Sequence, residues 1–169
     1  MSTARGAMEA AESGVTIREF LPGDEAAFRR LNEEWIVRYF VMEPKDEEAL
    51  ADPRSAFLDG GGRIFLAFRH GEALGCCALL AAGEGEYEVA KMAVTESARG
   101  AGIGRRLLEF TIAQARASGA RRLCLETNHR LTPAIRLYES AGFRHIPPER
   151  AATSAYARAD VFMEMWLGS

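Results

Sequence analysis

The chain has 169 residues, of which 48% are hydrophobic and 27% charged, and its formal net charge is -3. A chain of this size can bury one substantial core, and a charge so near zero gives no sign of a basic surface that binds nucleic acid. No apolar run is long enough to span a bilayer, and the N-terminus lacks the pattern of a secretory leader. We therefore expect a cytoplasmic protein with neither nucleic-acid nor membrane partners.

The N-terminal part of the chain predicts a tail, a strand and a helix. Residues 1–14 are rich in Ala, Glu, Ser and Gly, which predicts a flexible tail before a single domain at 15–169. Val15–Phe20 predicts a short strand. A helix should begin at Asp24, a residue suited to the N-cap, and continue to about Phe40.

The next segment predicts a short helix, a loop and a hairpin. The helix is expected at Asp46–Ala51 and the loop at Pro53–Gly62. The apolar runs Ile64–Arg69 and Leu74–Leu80 are separated by the turn-forming pair His70–Gly71, which predicts two antiparallel strands.

The segment Arg99–Arg105, R-G-A-G-I-G-R, is the most informative part of the chain. It follows a strand expected at Tyr87–Val94 and opens a helix whose apolar residues recur at helical spacing up to a cap at Gly119. The first amides of a helix have no intrahelical partner and lie at the positive end of its dipole, so they can bind an anion. Glycine has no Cβ, which lets a phosphate approach the backbone. The pattern predicts a strand, a phosphate-binding turn and a helix.

The C-terminal part repeats the order of strand and helix. Arg121–Thr127 predicts a buried strand, and Leu131–Phe143, L-T-P-A-I-R-L-Y-E-S-A-G-F, predicts a helix that Gly142 ends. Val161–Trp166 predicts a last strand. Strands followed by strand, helix, strand, helix are typical of a mixed α+β sheet.

The cysteines and histidines do not predict a metal site. Cys76 and Cys77 are neighbours on one expected strand and Cys124 lies in another, so we interpret them as small core residues rather than a disulfide framework. The histidines show no metal-ligand spacing. Nothing near Cys124 in the sequence resembles the base that an acyl-carrying thiol needs.

Two motifs together resemble the signatures of the GNAT N-acetyltransferase superfamily. Arg99, Gly102 and Gly104 match its acetyl-CoA-binding spacing, Arg/Gln-x-x-Gly-x-Gly/Ala, and the later helix matches A-I-x-L-Y-E-x-x-G-F. The resemblance covers roughly Val15 to Trp166. It implies an α+β fold with a central, mostly antiparallel sheet flanked by helices, whose strands splay apart around the pantetheine arm. It also implies acetyl-CoA as acyl donor, without a metal.

The residues that the resemblance assigns to the cofactor lie on the central strand, the glycine turn and the second helix. They are Met92, Ala93, Val94, Arg99, Gly100, Ala101, Gly102, Ile103, Gly104, Arg105, Asn128, Ala134 and Leu137. Many family members have an asparagine where this chain has Leu131. Asn128 either replaces it at the cofactor arm or caps the following turn, and both readings stay open.

Acyl transfer to an amine needs a base for the ammonium and an acid for the departing thiolate. Glu88 is our candidate base, because some GNAT enzymes carry a catalytic glutamate at the matching offset. Alternation places it on one face of the strand with Ala90, Met92 and Val94, unless a bulge shifts the phase. The alternative is a glutamate that faces solvent or pairs with Lys91 or an arginine, with a water chain or another carboxylate as the base.

Tyr138 is our candidate acid, since the resemblance places this tyrosine beside the sulfur of CoA and a phenol can donate a proton there. The alternative is a tyrosine that belongs to the core.

The acceptor site is the least determined part of the prediction. In the superfamily it is usually built from the first helices, the loop beyond the last helix and the final hairpin, which here correspond to Glu33–Asp46 and Ser154–Glu164. The candidate residues are aromatic or acidic, namely Trp35, Tyr39, Phe40, Glu43, Tyr156 and Asp160. They could hold an amine through its charge and carbon skeleton. Alternatively, the three aromatic residues of the first helix form its buried face.

The implied function is transfer of an acetyl group from acetyl-CoA to a primary amine of a small molecule or peptide, by direct attack in a ternary complex. Two other readings stay open. One is a catalytically weak CoA-binding sensor or regulatory module on the same fold, and the other is an interaction domain without a cofactor. A homodimer also stays open.

Overall fold

A computed structural model describes residues 14–151 and 153–168 of the chain. The predicted tail thus lies, apart from Gly14, outside the described residues. The strands are β1 (Val15–Glu19), β2 (Arg63–Arg69), β3 (Glu72–Gly83), β4 (Glu86–Val94), β5 (Arg122–Thr127), β6 (Arg144–Ile146) and β7 (Val161–Trp166). The α-helices are α1 (Glu25–Tyr39), α2 (Pro44–Ala51), α3 (Ile103–Ala117) and α4 (Thr132–Ala141).

The described strands form one mixed sheet in the order β1-β2-β3-β4-β5-β7-β6. Neighbouring strands are antiparallel except β4 and β5, which confirms the predicted mostly antiparallel sheet. The parallel pair is short, because only Glu86–Glu88 pairs with Arg122–Cys124. Beyond it the two strands share no pairing, and the sheet opens into the predicted splay.

Two apolar clusters cover the two faces of the sheet. One face packs against α3 and α4 through residues such as Leu107, Leu108 and Tyr138. The other packs against α1 and α2 through residues such as Phe28 and Leu50. Each helix has an apolar stripe at helical spacing, so burying that stripe against the sheet fixes the helices on their faces. None of the described helices is long and apolar enough to cross a membrane.

A β-bulge interrupts β4 at Lys91. Ala90 and Ala93 pair with β3 residues that are only two positions apart, so Lys91 and Met92 together lie opposite the single residue Cys77. Lys91 has a φ of 51°, a left-handed conformation that is uncommon for a residue with a side chain. The backbone is therefore strained at this point of the strand.

The bulge corrects the predicted alternation of β4. Glu88 and Ala90 do lie on one face, the face of α1 and α2, as their β3 partners show. After the extra residue, Ala93 is on that same face, whereas Met92 and Val94 pack toward α3 and α4. The prediction of one face for all four residues is therefore wrong from Met92 onward.

The predicted loop Pro53–Gly62 also contains regular structure. Arg54–Leu58 forms a short π-helical turn, whose Phe57 is buried and meets the ring of Phe28 edge to face at 5.9 Å. This one buried aromatic residue offers no periodicity to detect in the sequence. The three-residue strand β6 was likewise not predicted, and short 3-10 helices occupy Glu96–Ala98 and Pro148–Arg150.

Candidate active site

A cleft of about 1030 Å³ passes through the splay between β4 and β5 and reaches both faces of the sheet. Most of the predicted site residues line it. These are Trp35, Tyr39, Phe40, Glu88, Met92, Ala93, Val94, Arg99, Gly100, Gly102, Ile103, Gly104, Arg105, Asn128, Ala134, Leu137, Tyr138 and Tyr156. Ala101, Glu43 and Asp160 do not line it.

One end of the cleft is formed by the glycine loop and the start of α3. Gly100 and Gly102 have φ angles of 84° and 77°, and a Cβ built on either would meet no atom within 4 Å. Gly102 is the N-cap of α3 and supplies no side-chain cap, so the first amides of this helix are left for another acceptor. A Cβ on Gly104 would lie 3.4 Å from Met92 and 3.5 Å from Leu137, which are ordinary van der Waals distances, so Gly104 lies where α3 packs on β4 and α4.

Tyr138 lies in α4 on the same side of the sheet as the glycine loop. Its ring is 8% exposed and meets Phe143 edge to face at 6.0 Å. No group in residues 14–151 or 153–168 hydrogen-bonds its hydroxyl, and none of the fully buried polar atoms there lacks a partner. A hydroxyl without such a partner is therefore not fully buried, and it opens on the cleft that Tyr138 lines. Burial keeps its pKa above the ordinary value, so it stays protonated at neutral pH.

Glu88 lies at the point where β4 and β5 part. Its register partner on β5 is Cys124, and in the described residues its carboxylate has no hydrogen-bond or ion-pair partner. Burial raises the pKa of Glu88 from 4.5 to about 7, and the nearby carboxylate of Glu126 adds to the shift. Burial also raises the pKa of the Cys124 thiol to about 11, so the thiolate is scarce at neutral pH.

The other end of the cleft contains a buried ion-pair cluster that was not predicted. Asp46 of α2 has no exposed surface. It accepts a hydrogen bond of 2.7 Å from Lys91 and two bonds, of 2.7 and 2.6 Å, from the guanidinium of Arg158. Burial disfavours its charged form, but the bonds from Arg158 and Lys91 outweigh burial and lower the pKa of Asp46 to about 2. Lys91 also reaches the hydroxyl of Tyr156 at 3.1 Å.

Arg158 lies among three of the aromatic residues predicted for the acceptor, namely Trp35, Phe40 and Tyr156, which together form an aromatic box. Its guanidinium carbon lies 4.5 Å from the ring centre of Tyr156, 5.6 Å from that of Trp35 and 6.0 Å from that of Phe40. These distances are typical of cation-π contacts. Trp35 and Phe40 are half-buried cleft residues, whereas the buried face of α1 consists of Phe28, Leu31, Asn32 and Ile36. The alternative reading of the aromatic residues as that buried face therefore holds only in part, since Trp35 also packs against the apolar cluster on this side of the sheet, while Tyr39 and Phe40 are half-buried residues that line the cleft.

Two predicted acceptor carboxylates are bound elsewhere in the chain. Glu43 accepts hydrogen bonds from the Ala157 amide at 2.9 Å and from Arg158 at 3.3 Å. Asp160 accepts bonds from the backbone and ring nitrogens of His129 on the exposed surface. Because both carboxylates have partners and neither lines the cleft, the structure does not bring them to the acceptor.

Asn128 caps the turn that follows it, which was one of the two roles predicted for this residue. Its side-chain oxygen accepts a bond of 2.9 Å from the Arg130 amide, and its amide group donates one of 2.7 Å to the Arg158 carbonyl. It also lines the cleft, so contact with the cofactor arm stays a prediction.

Residues 28–143 match the Acetyltransferase (GNAT) family, and the chain belongs to this family. It is 42% identical over 99 residues to the IAA acetyltransferase of Azospirillum brasilense, a match that covers 58% of this chain and 60% of that protein. It is 35% identical over 136 residues to the mycothiol acetyltransferase of Thermomonospora curvata, covering 77% of this chain and 44% of that protein. The chain thus spans less than two thirds of either relative.

Solved structures of the same family share the fold. A GNAT acetyltransferase from Staphylococcus aureus superposes with a TM-score of 0.84 at 19% identity, covering 91% of this chain and 99% of that one. YncA of Salmonella typhimurium, solved with its cofactor acetyl-CoA, superposes with a TM-score of 0.72 at 22% identity, covering 92% and 95%. The predicted family and fold are confirmed, whereas the roles of individual residues stay predictions.

Replacing Asp46 by Asn should destabilise the protein strongly. The variant leaves Lys91 buried without a negative partner and leaves Arg158 with only its 3.3 Å contact to Glu43, so we expect the free energy of unfolding to fall by about 3–5 kcal/mol in urea denaturation. Glu47→Gln is the matched control on the same helix, because Glu47 binds Arg29 at 2.8 Å on the exposed surface. It should lose less than about 1 kcal/mol. Equal losses would contradict the importance of the buried cluster.

Replacing Gly102 by Val should prevent CoA binding and leave the protein folded. A side chain at this φ is strained by about 1–2 kcal/mol and places bulk on the open side of the loop. Gly119→Val is the control, since Gly119 follows the other end of α3, has a φ of 84° and also has no atom near its built Cβ. Calorimetric titration with CoA should show lost affinity for Gly102→Val alone. Unchanged affinity in both variants would remove the loop from the binding site.

Proposed function

We propose that the protein transfers an acetyl group from acetyl-CoA to a primary amine by direct attack in a ternary complex. One observation carries this proposal: a single cleft joins the glycine loop to Glu88 and to the hydroxyl of Tyr138. A phosphate-binding helix start, a base and an acid thereby face the same space.

The residues of the cleft fit acetyl-CoA. The amides that begin α3 and the side chains of Arg99 and Arg105 would hold its diphosphate. Beyond Glu88, the edge of β4 that faces β5 has no strand paired with it. Its amides and carbonyls are therefore available to the extended pantetheine arm of acetyl-CoA. When bound, acetyl-CoA supplies an activated acetyl thioester.

Glu88 acts as the base in this proposal. An ammonium has no lone pair, so the acceptor must lose a proton before it can attack. The carboxylate of Glu88 has no competing partner among the described residues, and a pKa of about 7 lets it exist as a base at neutral pH and still take up a proton.

Tyr138 supplies the acid. Its hydroxyl opens on the cleft, remains protonated and stands on the glycine-loop side of the sheet. It can therefore donate its proton where a thiol must leave, on the opposite side of the splay from Glu88. Glu88 and Tyr138 approach the same cleft from opposite faces of the sheet, so one residue does not have to serve both proton transfers.

The Tyr138→Phe variant tests the proposed reaction. The wild-type protein should release CoA thiol from acetyl-CoA in the presence of a primary amine. The variant should lower kcat by roughly ten- to a thousand-fold with little change in acetyl-CoA affinity or thermal stability, because the Tyr138 hydroxyl of the wild type makes no hydrogen bond to any described residue. Wild-type turnover in the variant would remove the acid role. Acetyl-CoA binding without thiol release for any amine would favour a sensor instead.

The Glu88→Gln variant tests the base through the pH dependence of activity. In the wild type, kcat/KM should rise with pH up to about 7, as Glu88 loses its proton. In Glu88→Gln the rise should move to higher pH, toward the pKa of the free amine, and high pH should partly restore activity. Superimposable profiles would place the base elsewhere.

Stability provides an independent check on the same variant. The pKa of Glu88 is higher in the folded protein than its ordinary 4.5, so its ionisation lowers stability as pH rises from about 4.5 through about 7. Glu88→Gln should therefore melt at a higher temperature than the wild type above pH 7, and the difference should vanish at acidic pH. A solvent-exposed glutamate would give no such difference.

A further inference from the structure

Among the described residues, each cation that lines the acceptor end of the cleft is paired with a carboxylate. Lys91 and Arg158 bind Asp46, and Arg158 also binds Glu43, so two positive charges meet two negative ones. An acceptor with a carboxylate would have to displace one of these buried contacts to find a cation. The cluster therefore offers no binding site for an anionic acceptor.

The cations around this cluster are paired as well. Arg122, which shares a strand face with Cys124, binds Glu164 at 2.8 Å and approaches Glu86 at 3.7 Å. At the rim, Lys45 pairs with Glu48 and Arg150 with Glu164. Of the other arginines, Arg99 and Arg105 line the cleft at the glycine loop, and Arg130, which does not line the cleft, lies over the ring of Phe40.

Two carboxylates of the same cleft lack a cation. Glu88 pairs in register with Cys124, and Glu126 lies two residues further along β5 and so on the same face as Cys124. In the described residues, the only polar partner of the Glu126 side chain is the hydroxyl of Ser154, which donates a bond of 2.7 Å. Neither Glu88 nor Glu126 therefore has an ion-pair partner among the described residues, in a cleft large enough for a ligand.

The spacing of these carboxylates suits a ligand with two positive ends. A rise of about 3.3 Å per residue and a strand separation of about 4.8 Å put their Cα atoms roughly 8 Å apart, and more where the strands diverge. The aromatic faces nearby are already covered by Arg158. A second ammonium on the acceptor would thus meet Glu126 rather than the aromatic box.

We propose, on the basis of the proposed acetyl transfer, that the acceptor is a short aliphatic diamine and that Glu126 determines this specificity. Glu88 receives the ammonium that is acetylated, and the carboxylate of Glu126 binds the second ammonium. The hydroxyl of Ser154 orients Glu126 from the loop that precedes β7. A monoamine cannot form this second ion pair. An amino acid that ends in a carboxylate is repelled by the carboxylate of Glu126.

The test compares three acceptors with the same four-carbon chain, namely putrescine, butylamine and γ-aminobutyrate, above pH 7 where Glu88 is ionised. We expect wild-type kcat/KM to be highest for putrescine, roughly ten- to a hundred-fold above butylamine, since a hydrogen bond to a charged group contributes that much to binding. γ-Aminobutyrate should be the poorest acceptor. Equal values for the three acceptors would overturn the proposal and leave acetyl transfer intact.

Glu126→Gln tests the residue, because glutamine keeps the size and can still accept the bond from Ser154. The ratio of kcat/KM for putrescine to that for butylamine should fall to about one. Glu86→Gln is the matched control, since Glu86 carries the same charge on β4 but does not line the cleft, and it should keep the wild-type ratio. A putrescine preference that persists in Glu126→Gln would refute the assignment. Acetyl-CoA binding with no transfer to any of the amines would instead overturn the proposed function itself.

Discussion

Asp46 carries a negative charge in the interior of the protein, so two cations must remain beside it. They come from distant parts of the chain, Lys91 from β4 and Arg158 from the segment before β7. Because one carboxylate binds both, the start of α2, the bulge of β4 and the loop over the cleft hold one another in place. The shape of the acceptor end depends on this shared carboxylate.

The strained bulge at Lys91 determines which face of the sheet each side chain of β4 occupies at the site. It divides β4 into two parts whose side chains follow opposite phases, so Glu88 faces α1 and α2 while Met92 and Val94 face the glycine loop and α4. Without the extra residue the candidate base and the cofactor-binding side chains would lie on one face. Backbone strain of this kind costs about 1–3 kcal/mol and persists only where surrounding contacts hold it. The Lys91 side chain, bonded to Asp46 and Tyr156, provides such contacts.

The features that were predicted well from the sequence are those determined by residues close together in the chain. The glycine loop, the cap of α3 and the position of Tyr138 in α4 all follow from residues within a few positions of one another. The bulge and the Asp46 cluster do not, because their contacts join residues 45 and 112 positions apart. The sequence offered Lys91 as a partner for Glu88, yet Lys91 turns to Asp46. The aromatic residues were assigned to the cleft without the arginine that covers them, for the same reason.

The pairing of Lys91 with Asp46 also helps to explain the raised pKa of Glu88. An ammonium bonded directly to Glu88 would stabilise its charged form and hold its pKa low, which would leave a weak base. Instead the ammonium is held by Asp46, and its attraction on Glu88 is a smaller effect than burial and the repulsion from Glu126. The pKa of Glu88 thus rises to about 7. Burial of Glu88 is the largest cause of this rise, and Asp46 contributes by holding the Lys91 ammonium that would otherwise be free to pair with Glu88.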